Sequence, residues 1–263
     1  MIEHRIVLFL VGWAIAAGLQ GLLYLRQRRT LDATAVDAGW AFSLVLLALA
    51  YAVLAPGSVE QRALIATLAG LQFLRIGVLV ARRIGKGEDR RYADLRSRWR
   101  ERGREQSSFA VFFQAQALLA ALLSVPFLLA AFNEAELGVL EWLGAALWVV
   151  AALGEAVADR QLAAHKADPS NKGTTLRSGL WRYSRHPNYF FQWLAWVAYA
   201  LVALPAPYGW LAIAAPVLML VSIVFVTGIP PSEEQALRSR GEDYRRYQRE
   251  TSAFVPWPPR RAG

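Results

Sequence analysis

The sequence predicts an all-α membrane protein that crosses the bilayer about seven times. Apolar residues make up 56% of the 263, and they are concentrated in stretches close to the ~20 residues that cross ~30 Å of hydrocarbon. The basic residues alternate with these stretches: 26 of the 29 Lys and Arg lie in every second loop or in the tail. The chain also has ten Trp and nine Tyr, which settle at membrane–water boundaries.

We place the spans at residues 6–25, 38–55, 63–81, 108–132, 139–158, 189–204 and 210–228. The first is too long for a signal-peptide core and lacks a small-residue cleavage site, so we expect it to be retained. The basic loops follow spans 1, 3 and 5, and the basic tail follows span 7. The positive-inside rule therefore predicts an N-terminus outside the cell and a C-terminus in the cytoplasm, which requires an odd number of spans.

The composition also excludes several kinds of function. Without cysteine, the chain has no disulfide, no thiolate nucleophile and no Cys-bound metal, and we predict no metal site. The net charge of +9 follows the loop pattern of a membrane protein, so we predict no nucleic-acid partner. No Gly-x-Gly-x-x-Gly follows a strand-like segment, and no sheet is expected.

Three polar segments lie outside the spans. Residues 89–104 are strongly charged and predict an interfacial helix or a mobile flap. Residues 232–250 predict one polar helix, with Ser232 as its N-cap and Glu233 and Glu234 in its first turn. Residues 254–259 contain three prolines and cannot be helical, so their aromatic side chains are expected at the interface.

Ionisable and amide side chains within spans are costly and mark candidate sites. Glu155 and Asp159 share one helix face, and their mutual repulsion suggests a cationic neighbour, such as Arg75, or a ligand. Gln72 lies on the same face as Arg75. Helix–helix hydrogen bonding is the alternative for all of these, and we prefer it for Gln20, Gln114 and Gln116.

The densest candidate chemistry runs from Asp168 to Tyr189. This stretch combines turn-forming residues, hydroxyls and four cations (Lys172, Arg177, Arg182 and Arg185) with His186. It enters the sixth span at Pro187, which suits a first helical turn. Backbone N–H groups at a helix start, with cations nearby, form an anion site, and a phosphate group is the expected occupant. A solvated basic loop would explain the charges, but it would not explain why His186, Asn188 and Tyr189 occur together at the start of the sixth span.

Several of these motifs carry a family resemblance. They are Gly154-Glu155, Asp159, Asn171-Lys172-Gly173, Gly179-Leu-Trp-Arg-Tyr-Ser-Arg-His-Pro-Asn-Tyr189, and Tyr244…Tyr247…Thr251-Ser252-Ala-Phe254-Val-Pro256-Trp257, with Gly87-Glu-Asp-Arg-Arg-Tyr92 and Phe113-Gln-Ala-Gln116. Together they resemble the steroid 5α-reductase family, and most closely its bacterial branch. The Arg-His-Pro-Asn-Tyr core is also similar to isoprenylcysteine carboxyl methyltransferases and sterol C14 reductases.

The resemblance implies a seven-span enzyme that uses NADPH to reduce the C4–C5 double bond of a 3-oxo-Δ4 steroid or similar lipid enone. It further implies that Asp159, Lys172, Tyr183, Arg185, His186, Asn188 and Trp196 surround the cofactor. To these we add Glu155 and Arg177, and, for a 2′-phosphate, Arg83, Lys86 and Arg91. The chain would then be one domain, 1–263, in a bacterial inner membrane. Spans 1–4 would face the substrate, and spans 5–7 with their cytoplasmic loops would hold the cofactor.

Two departures from the family pattern concern the substrate. Phe191-Gln192 replaces the Gly-Glu that usually follows the Arg-His-Pro-Asn core. The Gln-Glu pair and Tyr that hold the steroid carbonyl in animal members have no clear equivalent. Reduction of an enone needs a hydride donor, which no side chain supplies, and a group that stabilises the enolate oxygen. Tyr51, Asp37 and Gln72 are the candidate catalytic groups in spans 2 and 3, for a lipophilic substrate that enters from the bilayer.

Two other functions fit parts of the pattern. An S-adenosylmethionine-dependent methyltransferase of lipid substrates would use the same Arg-His-Pro-Asn-Tyr mouth, with Glu233 and Glu234 near the cofactor. A transporter or a non-enzymatic scaffold would also span the membrane. Transporters place charges and broken helices near the midplane, whereas here the polar residues are concentrated at the cytoplasmic ends, which argues against transport.

Overall fold

The structure is a computed structural model that describes residues 2–260. These residues form helices and connecting turns, with no strand among them. The all-helical prediction is therefore confirmed. Arg261, which we counted among the basic residues of the tail, lies outside the described residues.

Six helical segments are long and apolar enough to cross a membrane: Ile2–Thr30, Ala35–Leu54, Val59–Ala81, Glu105–Ala131, Val139–Ala167 and Gly209–Arg240. The membrane character of the chain is thus supported. The sixth predicted span corresponds to the helix Pro187–Ala203, which has 17 residues, fewer than the ~20 that cross the hydrocarbon.

Eleven α-helices are named here in chain order. They are α1 (Ile2–Thr30), α2 (Ala35–Leu54), α3 (Val59–Ala81), α4 (Arg90–Glu101), α5 (Glu105–Leu123), α6 (Val125–Ala131), α7 (Val139–Ala167), α8 (Pro187–Ala203), α9 (Ala214–Val221), α10 (Ile229–Arg240) and α11 (Glu242–Glu250). Short 3-10 helices occupy Pro169–Asn171, Gly179–Arg182 and Gly209–Ile213, and a π-helical turn occupies Ser222–Val226.

The chain packs as two compact units. The first contains residues up to 141 and 202–215, and the second contains 142–201 and the chain from 216 onward. This division describes packing only, and the assignment of one functional domain stays a prediction.

In the first unit, α2 packs against α1 and α3, and α1 packs against α5. The charged segment predicted as an interfacial helix or flap is the helix α4, which Asp89 begins by accepting a hydrogen bond from Arg91 N. Its apolar side packs beside a buried cluster that contains Ala33, Val36, Tyr92, Phe109 and Phe113. Arg96, one turn after Tyr92 on the same face, lies over the ring of Phe109 and binds Glu88 at 2.7 Å and Glu105 at 2.5 Å. These contacts hold α4 against the start of α5.

Two predicted helices are interrupted. The fourth span, predicted as 108–132, divides at Ser124 into α5 and α6. The tail, predicted as one helix over 232–250, is α10 and α11, separated at Gly241. Gly241 has φ +50°, a conformation that favours glycine and ends a helix. The prediction of Ser232 as N-cap was wrong, because α10 already begins at Ile229, with two prolines in its first turn.

Candidate functional site: a cationic cavity in the second unit

A cavity of about 760 Å³ lies within the second unit. It is bounded by the end of α7, the loop that follows, the start of α8, and the helices α10 and α11. Lys166, Lys172, Arg185 and Arg240 contribute positive charge to its lining, and Asp168 is the one carboxylate among the lining residues. The volume is in the range of sites for small molecules and cofactors, and the charge favours an anion.

The first wall is the loop after α7. Asp168 begins the short helix Pro169–Asn171 by accepting hydrogen bonds from Ser170 N at 2.9 Å and Ser170 Oγ at 2.7 Å, and these bonds lower the pKa of its carboxyl. Asn171 Nδ2 donates to the carbonyl of His165 at 3.2 Å, which ties the loop back to α7. Gly173, with φ +81°, turns the chain so that Lys172 and Thr175 both line the cavity.

The helix Gly179–Arg182 docks on α7. Leu180 N donates to Gln161 Oε1 at 3.0 Å, and Trp181 Nε1 donates to the carbonyl of Ala158 at 3.0 Å. Gly179 is required here, because it has φ +60° and a Cβ would lie 2.3 Å from the amide of Gln161. This docking fixes the position of the Ser184-Arg185-His186 segment that follows.

An ion-pair network joins that segment to α10. Arg185 Nε lies 2.6 Å from Glu233 Oε1, and His186 Nε2 lies 3.2 Å from the same oxygen. Gln248 Nε2 donates to Glu233 Oε2 at 2.7 Å. Arg185 also donates through Nη1 to the carbonyls of Gln248 and Thr251, at 3.0 and 2.6 Å. Both Glu233 oxygens and most Arg185 donors are therefore occupied within the protein.

The tail after α11 is bound to the same motif. Arg185 N donates to the carbonyl of Ser252 at 2.8 Å, and Trp257 N donates to the carbonyl of Tyr183 at 2.9 Å. Tyr247 Oη lies within hydrogen-bond distance of the carbonyls of Trp181 and Ser184. Burial raises the pKa of Tyr247, which keeps its hydroxyl proton available for these bonds. The tail therefore helps to hold the segment from Tyr183 to Arg185 in place.

Three lining side chains have buried polar atoms without a hydrogen-bond partner in residues 2–260. They are Thr175 Oγ1, Asn188 Oδ1 and Arg240 Nε. Asn188 uses its other amide atom, because Nδ2 lies 3.3 Å from Asp159 Oδ1. Leaving a buried polar atom unsatisfied costs about 1–3 kcal/mol, so these atoms are suited to contact a bound ligand.

The structure brings together four of the predicted cofactor residues, since Lys172, Arg185, His186 and Asn188 all line the cavity. Asp159 lies behind Asn188. Glu155, Arg177, Tyr183 and Trp196 belong to the same unit but do not line the cavity. Arg177 instead forms an ion pair with Asp243 at 2.7 Å.

The remaining predicted cofactor residues belong to the first unit. Arg83 and Lys86 are exposed in the turn between α3 and α4. Arg91, in the first turn of α4, forms ion pairs with Asp37 at 2.9 Å and with Asp89 at 3.1 Å. Tyr92 Oη also donates to Asp37, at 2.5 Å. Asp37, predicted as a catalytic candidate, therefore holds α4 on the start of α2.

The other catalytic candidates are buried inside the first unit. Tyr51 is 1% exposed and Gln72 is 3% exposed. Tyr51 Oη lies 3.2 Å from Ser124 Oγ, and Ser124 Oγ donates to the carbonyl of Ala121 at 2.8 Å. The Tyr51 hydroxyl is therefore the donor in its contact with Ser124. Asp37 and Tyr51 are fourteen residues apart on α2, or about 21 Å at ~1.5 Å per residue, so they cannot bind the same substrate oxygen.

Several residues of the site were not predicted from sequence. Glu233 was assigned to a helix start and, in the methyltransferase alternative alone, to the surroundings of the cofactor, although it is the shared partner of Arg185 and His186. Gln248, Thr175 and Arg240 were not singled out at all, and Tyr244 was named only within the motifs of the family resemblance. No local signal distinguishes Glu233 from Glu234, since Ser232 separates both of them from Pro230-Pro231. Within residues 2–260, no group of three or more His, Cys, Asp or Glu side chains could hold a metal ion.

The fold and the site together define a class of protein: an all-helical membrane protein with a cationic cavity beside an Arg-His-Pro-Asn motif. The chain matches a protein family described as "protein of unknown function (DUF1295)" over residues 23–251. It belongs to that family, which is associated with steroid 5α-reductase-like proteins. Comparisons with curated proteins and with solved structures found no match.

Proposed function

We propose that the protein is an NADPH-dependent reductase of a lipid enone, with a 3-oxo-Δ4 steroid as the substrate type to be tested first. The observation that carries the proposal is the cavity lined by Lys172, Arg185, His186 and Asn188, in which buried polar atoms lack partners. The family resemblance and the family membership support the same reading.

The donor set of the cavity fits a dinucleotide. Lys172, Lys166 and Arg240 suit phosphate oxygens, and the unpartnered Asn188 Oδ1 can accept a hydrogen bond from an amide or a hydroxyl. His186 and Tyr189 stack with their ring centroids 5.4 Å apart, which gives the wall a flat aromatic surface. When bound, NADPH supplies the hydride, which no side chain can donate.

The proposed topology has seven spans, with α8 as the sixth and the N-terminus outside. The distribution of basic residues supports it, since the predicted cytoplasmic loops hold almost all of them. In this arrangement the cavity opens to the cytoplasm, where the cofactor is available. Cysteine is absent from the sequence, so single cysteines introduced at Arg28 and Glu136 would report on opposite faces through an impermeant thiol reagent.

The candidates for the group that stabilises the enolate oxygen are the residues predicted from the sequence, Asp37, Tyr51 and Gln72. Asp37 is the weakest of the three candidates, because its carboxylate is already shared by Arg91 and Tyr92. Tyr51 can serve if its proton turns from Ser124 to the substrate. Gln72 can donate through its amide. A lipophilic substrate would approach these residues from the bilayer.

The direct test is steady-state reduction of a series of 3-oxo-Δ4 steroids by the purified full chain with NADPH. Turnover is expected with at least one, with formation of the 4,5-dihydro product. A matched reaction with NADH should be slower. If the protein binds NADPH but turns over none of these steroids, the proposal of a steroid substrate is wrong, while the proposal of a nucleotide site stands.

The second candidate is an S-adenosylmethionine-dependent methyltransferase. Glu233 favours it, because its carboxylate lies beside His186 at the predicted cofactor mouth. The bonding of Glu233 argues against it, since both oxygens are taken by Arg185, His186 and Gln248. A ligand that binds only the folded state raises the melting temperature, so NADPH and S-adenosylmethionine can be compared directly on the same protein.

A further inference from the structure

Arg5 lies in the first turn of α1 and is only 7% exposed. The carbon of its guanidinium is 4.9 Å from the ring centroid of Phe132 and 5.4 Å from that of Tyr208. All three residues belong to the first unit. The charge is therefore held between two aromatic rings, at one end of a helix that is long and apolar enough to span a membrane.

This cation lacks an anion and a hydrogen-bond acceptor in the part of the chain that the structure describes. No carboxylate lies within 4 Å of it, and Nε is buried without a partner. The terminal nitrogens form no hydrogen bond with residues 2–260, and neither is among the fully buried unpartnered atoms, so each of them retains some exposure. A guanidinium has five N–H donors, and contact with ring faces satisfies none of them fully. A cation in the first turn also opposes the helix dipole.

The depth of Arg5 indicates what could pair with it. With 29 residues, α1 is about 43 Å long at ~1.5 Å per residue. It therefore exceeds the ~30 Å hydrocarbon core by about four residues at each end. With α1 centred on the bilayer, Arg5, its fourth residue, lies at the edge of the hydrocarbon, next to the phosphates of the phospholipids. Guanidinium groups bind phosphate oxygens in a bidentate manner.

The turn that carries Tyr208 is built for this contact. Tyr208 adopts φ +67°, a left-handed conformation that is unfavourable for a non-glycine residue. Gly209 follows it, and a Cβ there would lie 2.3 Å from the carbonyl oxygens of Ala203 and Leu204. The tight turn thus presents the Tyr208 ring to Arg5 at the expense of local backbone strain.

We propose that Arg5, between Phe132 and Tyr208, forms a binding site for the phosphate of a phospholipid headgroup. The two rings hold the guanidinium in place, and its accessible edge binds the phosphate oxygens. This site is independent of the proposed reductase activity and of the cavity in the second unit.

The test uses the purified full chain in detergent, with thermal unfolding followed as ligand is added. The probes are a short-chain phosphatidylglycerol, a diacylglycerol of the same chain length, and inorganic phosphate. The phospholipid is expected to raise the melting temperature in a saturable manner, while the other two do not. Equal responses to the diacylglycerol and the phospholipid would overturn the proposal, and an equal response to inorganic phosphate would overturn the lipid as its source.

Two variants locate the site. Arg5→Gln should weaken the response to the phospholipid at least about tenfold, as expected for loss of a charge-assisted pair. Arg28→Gln, which changes an exposed arginine near the other end of α1, should leave it unchanged. If Arg5→Gln does not fold, Tyr208→Leu together with the three wild-type titrations decides the question. An unchanged phospholipid affinity in a folded Arg5→Gln protein contradicts the proposal.

Discussion

Arg185 and Glu233, 48 residues apart in sequence, form a close ion pair with 2.6 Å between Nε and Oε1. Arg185 directly precedes His186 at the start of α8, and Glu233 lies in the first turns of α10. The pair therefore joins the Arg-His-Pro-Asn motif, which the sequence identifies, to the C-terminal helices, whose position the sequence does not predict. Because Arg185 also binds the carbonyls of Gln248 and Thr251, this one side chain joins the start of α8 to α10 and to the end of α11.

Removal of the Glu233 charge should destabilise the protein. In Glu233→Gln, the Arg185 side chain, which is 12% exposed, loses its counter-charge, and the free energy of unfolding should fall by about 3 kcal/mol. The measurement is the unfolding of purified protein in detergent. Glu234→Gln is the matched control, since the Glu234 side chain is 64% exposed and pairs with Arg238 on the surface, so a change within about 0.5 kcal/mol is expected. Equal effects of the two substitutions would contradict the assigned role of Glu233.

A methyl group at Gly12 should disturb Tyr51. A Cβ at Gly12 would lie 2.3 Å from Tyr51 Oη, so Gly12→Ala should lower the free energy of unfolding by roughly 1–3 kcal/mol through overpacking. Tyr51→Phe in the same chain should recover part of this loss. The control is Gly18→Ala on the same helix, where nothing lies within 4 Å of the added atom. That variant should be neutral or stabilised by up to about 1 kcal/mol.

The docking of α4 should depend on acidic pH through Asp89. Burial acts to raise the pKa of Asp89, but hydrogen bonds from Arg91 outweigh it and lower the pKa below the unfolded value of 3.8. A lowered carboxyl pKa stabilises the fold fully above the unfolded value, and the contribution is lost as the pH falls through the lower, folded value. The protection of the amides in residues 90–101 against hydrogen exchange, corrected for the intrinsic rate at each pH, should therefore fall below about pH 4. Asp89→Asn should exchange faster at neutral pH and lose most of this pH dependence.

The proposed cofactor site predicts a specific effect of Asn188. Asn188→Ala removes a lining amide with an unpartnered oxygen, and the affinity for NADPH should fall about tenfold. Gln192→Ala is the control, because Gln192 carries the same amide one turn further along α8 and does not line the cavity. Equal losses from both substitutions, measured by equilibrium binding, would place the nucleotide elsewhere.

The apolar helices could be predicted because the length of an apolar run is a local property of the sequence. The prediction that a helix starts at Pro187 is confirmed, since proline suits a first turn. Residues 254–259 are non-helical, as their prolines require. The break at Ser124 had a local signal that the span prediction missed: Pro126, in the first turn of α6, has no N–H to donate within a continuous helix.

The site could be predicted only in part, for a similar reason. Lys172, Arg185, His186 and Asn188 lie close together in sequence, so their meeting at one cavity follows from a single loop and helix start. Glu233, Gln248 and the carbonyl of Thr251 reach the same place through the docking of the tail. Nothing local in the sequence distinguishes Glu233 from its exposed neighbour Glu234. Arg177 resembles a phosphate-binding cation in sequence, but the folded tail provides Asp243 as its partner.

The measurement that tests the central claim most directly is equilibrium binding of NADPH to the purified full chain, in parallel with S-adenosylmethionine. Saturable binding of NADPH is expected, together with a much weaker response to S-adenosylmethionine and a loss of NADPH affinity in Lys172→Ala. If the folded protein binds neither nucleotide, or binds NADPH equally well without Lys172 and Asn188, the cavity is not a cofactor site and the reductase proposal is wrong.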